Sequence, residues 1–81
     1  MSNTTSITLE FPVMIAGAKV GVLTMRRANV GDVLKANRNK DEIEREINLF
    51  ADLCEVSPDS IRSLDLKDYS QLQEVFRGFT S

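Results

Sequence analysis

With 81 residues, 42% of them apolar and 27% charged, the chain has the composition of one small folded domain and not of a disordered tail. Ten Lys and Arg against 12 Asp and Glu leave a net charge of -2, so no overall positive field recruits a phosphate backbone, and nucleic acid is disfavoured as a partner. A single cysteine without histidine argues against an internal disulfide, a metal site and a cofactor, and no apolar run nears the roughly 20 residues that cross a bilayer, so a soluble cytoplasmic protein is expected.

Residues 1–5 are small and polar and read as a flexible tail, and residues 6–27 read as a β segment. There Ile7, Leu9 and Phe11 alternate with Thr8 and Glu10, the period of a strand with one buried face. Ala16-Gly17-Ala18 interrupts two β-prone runs, and Gly17 can take the positive φ of a tight turn, so a hairpin is expected. Folding back sets Pro12 near Gly21, and a bulge at that pair lets Ile7, Leu9 and Phe11 share a face with Leu23 and Met25.

A helical segment, 29–79, follows. Asn29 is placed to cap a short helix with Asp32 at its third position, where a carboxylate answers free amides and the helix dipole. Asn39, followed by Glu42, opens a longer helix with the apolar stripe Ile43, Ile47, Phe50 and Cys54, flanked by Leu49 and Leu53. Ser57 and Pro58 start a short helix reaching about Leu64. The last helix sets Leu66, Tyr69, Leu72, Gln73 and Phe76 on one side and stops at Gly78. The fold class is therefore α+β, an N-terminal β-hairpin of two or three strands packed against three or four short helices in one domain, 1–81.

No catalytic constellation stands out. Asp41, Glu42, Glu44 and Glu46 occupy the first turns and outer face of a helix, where solvated acids belong, and Cys54 has no base beside it to make it a nucleophile. Gly17, Gly21 and Gly31 lack the spacing of a phosphate loop. Ser60 in "PDSI" resembles the attachment serine of acyl carrier proteins, but those are all-helical, and a capping role suits it better. Arg26 and Arg27 end the second β run pointing to opposite faces; each is read either as a partner contact or as a salt bridge to an acid such as Asp32. Phe79, beyond Gly78, is expected to escape the core and, with Arg77, to belong to a protein contact.

Taken in order, "ITLEFPVMIAGAKVGVLTMRRANVGDVLKA", an acidic amphipathic helix and "LCEVSPDSIRSLDLKDYSQLQEVFRGF" resemble the tail assembly chaperones of Mu-like and P2-like contractile-tailed phages. The likeness covers nearly the whole chain. It lies in the early Pro and Gly of the β segment, the Leu23 to Arg26 strand, the Gly31-Asp32 helix start, and a loop with Pro58 leading to Leu64-Asp65-Leu66, Asp68-Tyr69 and Leu72-Gln73. Ala28 departs from it, standing where the family tends to have proline. The resemblance implies a non-enzymatic protein of the bacterial host's cytoplasm that helps the tail tube form around the tape measure protein and is absent from the mature virion. Its implied partners are the tape measure protein, the tail tube protein and further copies of itself, with Arg26, Arg27, Arg77 and Phe79 as candidate contacts. A carrier-like domain modified at Ser60 and a small nucleic-acid-binding regulator are the alternatives.

Overall fold

The alternation around Ile7 and Leu9 produces strand β1, Thr4–Ile15, which returns through Ala16 and Gly17 into β2, Ala18–Arg26. The computed structural model describes residues 4–80. Ala16 and Gly17 have φ of 52° and 82°, the positive values at both central positions that a twisted two-residue hairpin turn requires. The strands form a two-stranded antiparallel sheet. Thr4 and Thr5, expected in the flexible tail, pair with Arg26 and Met25, while the start of that tail lies outside the described residues.

The ladder breaks where Pro12 approaches Gly21: between the Thr8–Val22 and Val13–Val20 pairs, the four residues Leu9 to Pro12 face Gly21 alone. Ile7, Leu9, Leu23 and Met25 are buried, and Val13, Ile15 and Val20 pack on the same core. Phe11 departs from expectation. Within the irregular stretch its ring turns outward and is 50% exposed.

Four helices follow: α1 Val30–Ala36, α2 Glu42–Cys54, α3 Pro58–Arg62 and α4 Leu66–Thr80. Asn29 caps α1 in a reciprocal box with Asp32. The cap of α2 is Asp41 and not Asn39: the Asp41 carboxylate accepts from the Ile43 and Glu44 amides, whereas Asn39 turns its own amide back to the Ala36 carbonyl. Glu55, in a left-handed conformation, ends α2, and the Val56 N–H reaches the Ala51 carbonyl at 3.0 Å. Ser57 caps α3 with Pro58 in its first turn. Gly78 does not stop α4, which runs on to Thr80 because no left-handed turn forms at the glycine.

Helix α2 is the hub, touching β2, α1 and α3, while α4 lies against β1. Phe50 is wholly buried and meets the rings of Tyr69 and Phe76, each at 5.6 Å between centroids. Burying such a ring is worth about 1.5–3 kcal/mol. Leu72 is also buried, but Leu66 and Ile43, expected on the inward stripes of α4 and α2, are 77% and 67% exposed. Each sits in the first turn of its helix. Phe79 does not escape the core: half-buried, it packs edge-on against Phe76 at 6.4 Å.

Candidate functional site

The two misplaced apolar residues meet. Ile43 and Leu66 stand on the rim of one open cavity of about 230 Å³ whose other lining residues are Ile47, Ile61, Arg62, Leu64 and Tyr69. Buried Ile47 and Ile61 make its floor. Helix α2 contributes one wall and the start of α4 another, with α3 between them, so the groove is apolar inside and open to solvent.

Its edge is acidic. The Arg62 guanidinium lies 2.6 Å from both Glu44 and Asp59, tying α3 to α2, and these carboxylates raise its pKa. The Tyr69 hydroxyl donates to Glu46, which also accepts from the Gln73 amide, so Glu46 faces α4 and not the outer surface. Burial first, and then Glu46, raise the Tyr69 pKa. The neutral phenol is held in place as a donor.

Asp68, in the first turn of α4, is fully buried. Its oxygens accept from the Glu10 and Phe11 amides at 2.9 and 3.0 Å, the backbone groups that the ladder break leaves without strand partners. Gln71 adds a bond to Asp68 and one to the Thr8 carbonyl. Burial on its own raises the Asp68 pKa, but the Glu10, Phe11 and Gln71 donors outweigh it and hold the carboxyl below its ordinary value. Two side chains of α4 thus close the irregular edge of β1.

The arginine pair divides as strand alternation dictates. Arg26 makes a two-pronged bridge to Asp32 at 2.8 and 2.9 Å, binding the hairpin to α1. That hydrogen-bonded guanidinium, helped by the Asn29 amide, lowers the Asp32 pKa to about 2. Arg27 turns the other way, donating to the Phe79 carbonyl at 2.9 Å with its guanidinium 5.2 Å from the Phe79 ring centroid. Arg77 is exposed and pairs with Glu74. Of the four candidate contacts, the structure packs Arg27 on Phe79 and has Arg26 donate to the Arg27 carbonyl at 3.2 Å, while Arg77 pairs elsewhere.

Ser60 sits in the capping turn of α3, its hydroxyl 3.1 Å from that of Ser57. Burial pushes the Cys54 thiol up to about 11, leaving little thiolate at neutral pH. Among the described residues no cluster of His, Cys, Asp and Glu is arranged to hold a metal ion, and no helix is long and apolar enough to cross a membrane.

The family model described as phage tail assembly chaperone proteins, E, or 41 or 14 matches residues 6–81 of the sequence. The chain belongs to the phage tail assembly chaperones. No curated protein and no solved structure matches it. In this tail assembly chaperone the groove went unread in the sequence because Ile43 and Leu66 complete helical stripes. The available signal was their setting, Ile43 within Asp41-Glu42-Ile43-Glu44 and Leu66 within Asp65-Leu66-Lys67-Asp68. An apolar residue inside a charged run stands where solvent reaches.

Proposed function

We propose that this chaperone binds the tape measure protein of its phage and keeps it soluble until the tail tube assembles around it. The role is non-enzymatic, is carried out in the cytoplasm of the bacterial host, and ends before the virion is complete. The observation that carries the reading is the groove. Ile43 and Leu66 expose apolar surface beside a ready-made apolar floor, the arrangement that receives an amphipathic helix by its i, i+3, i+4 side chains. A long helical client with apolar faces offers such side chains repeatedly.

Co-expression with the tape measure protein of the same phage, followed by pull-down, tests the proposal. The client is expected to be soluble and to co-purify with the wild-type chain, and Leu66→Asp is expected to lose it while remaining folded. A client that is equally soluble alone and never co-purifies would refute the assignment. An added pantetheine arm on Ser60 after treatment with a phosphopantetheinyl transferase would replace it with the carrier reading.

A further inference from the structure

The hairpin guards one of its two outer edges and leaves the other bare. A two-stranded sheet has a free row of main-chain N–H and C=O groups along each strand, and such a row pairs with an extended chain that reaches it. On β1 the row is closed. Asp68 takes the Glu10 and Phe11 amides, Gln71 takes the Thr8 carbonyl, Lys67 holds the Glu10 side chain at 2.6 Å, and Pro12 has no N–H to offer.

Strand β2 has none of these devices. Its nine residues, Ala18–Arg26, include no proline and carry charge only at Lys19 and Arg26, near the two ends. Antiparallel pairing with β1 engages the main chain of alternate residues and turns the others away from the hairpin. Among the described residues, no hydrogen bond from outside the hairpin reaches the main chain of 18–26. Leu23 and Met25 are buried toward the helices, while Val22, 50% exposed, and Thr24 stand on the opposite face. Lys19 is exposed near the turn and forms no ion pair with a described residue, in contrast to Arg26, which Asp32 holds.

We propose that the free edge of β2 is a docking surface for an extended segment of another protein, added as a third strand, with an acidic residue of that segment meeting Lys19 and a β-branched or aromatic side chain lying beside Val22. A row of alternating main-chain donors and acceptors is matched in full only by another extended backbone, so the occupant is a strand and not a helix. A second copy fits less well. Laid antiparallel along the full edge, β2 on β2 sets Lys19 of each copy close to Arg26 of the other, like charges across a strand pair. The edge shares no residue with the α2–α3–α4 groove, so the proposal does not rest on what the groove binds.

Titration of the isotope-labelled full chain with a synthetic peptide of alternating Thr and Val between Glu pairs tests it, read by amide shifts and amide exchange. A short added strand binds weakly, with Kd expected at about 0.1–1 mM. Shifts should saturate along 18–26, exchange should slow at alternate amides there, and the groove residues should stay unmoved. A peptide with Pro in place of Val is expected not to bind. Lys19→Glu changes only an exposed side chain, and should weaken the Glu-flanked peptide about three- to tenfold while a Lys-flanked peptide gains by a similar factor. No shifts along 18–26 up to about 5 mM peptide, shifts confined to the groove, equal binding of the Pro peptide, or an unchanged preference in Lys19→Glu would each overturn the proposal. So would alternate amides of 18–26 already protected in the free chain together with a doubled mass in sedimentation, since a second copy would then hold the edge.

Discussion

Replacing Asp68 by Asn isolates the device that closes the hairpin edge. The substitution keeps the shape of a fully buried side chain but turns one acceptor oxygen into a donor amide. Of the Glu10 and Phe11 amides, now 2.9 and 3.0 Å from carboxylate oxygens, one keeps a neutral acceptor and the other faces a second donor. One orphaned backbone amide plus one weakened charge-assisted bond corresponds to a fall in melting temperature of about 5–15 °C for a domain of this size. Thermal unfolding by circular dichroism at pH 7 measures it, with Asp59→Asn as the exposed control expected to move little. Because folding depresses the Asp68 pKa from 3.8, its contribution is fully present above about pH 4 and is lost as pH falls through the lower folded value, so the variant should differ less from wild type in acid. Amide exchange at Glu10 and Phe11 should speed up in the variant. If melting and exchange both match wild type, Asp68 does not replace the missing strand partner.

Ala16→Asn places Asn-Gly at a turn where Ala16 already has φ of 52°, and should raise stability by about 0.5–1 kcal/mol in urea unfolding. Gly78→Ala, in a helix with open space around the added methyl, should stabilise by up to about 1 kcal/mol; a loss instead would mean that α4 ends at the glycine. A cycle of Arg27→Ala and Phe79→Ala should show coupling of about 0.5–1 kcal/mol, and additive single effects would deny a latch between them. With the Asp32 pKa lowered from 3.8 to about 2, the stabilising effect of its bridge is complete above about pH 4 and disappears as pH falls toward 2, so Asp32→Asn should flatten the acid limb of a stability curve.

What could be read from the sequence was chemistry that acts over a few residues. The turn at Gly17, the Asn29 and Asp32 box, Ser57 with Pro58, and the approach of Pro12 to Gly21 all follow from short-range geometry and stand in the structure. Helical periodicity also found Ile47, Phe50, Cys54 and Leu72. It failed at Ile43 and Leu66 because spacing tells which side of a helix is apolar, not whether another element reaches over that side. Phe11 failed for the same kind of reason, since strand alternation does not survive a stretch where four residues oppose one. The role of Asp68 depends on residues 57 and 58 positions away, a separation that no local pattern encodes. Gly78 shows the converse error: glycine permits a helix stop but does not impose one.

The placement of α1 leaves apolar side chains of this small domain on its surface. Were Val30, Val33 and Leu34 turned inward, their burial would hold the helix, and nothing apolar would remain on its surface. Instead the helix is held by polar ties that lie off that face. Asn29 and Asp32 close its first turn, Arg26 grips Asp32 with two hydrogen bonds, and Lys35 reaches Asp52 near its end. Exposed ion pairs of this kind contribute little one by one, so much of the attachment rests on the two-pronged Arg26 bridge and the single buried methyl of Ala36. It follows that Asp32→Asn should loosen α1 far more than it lowers global stability. Hydrogen exchange resolved along the chain is expected to show faster exchange across 30–36 with little change in α2. Uniform acceleration across both helices would mean that α1 and the core open together, and that the polar ties do not act as a separate hinge.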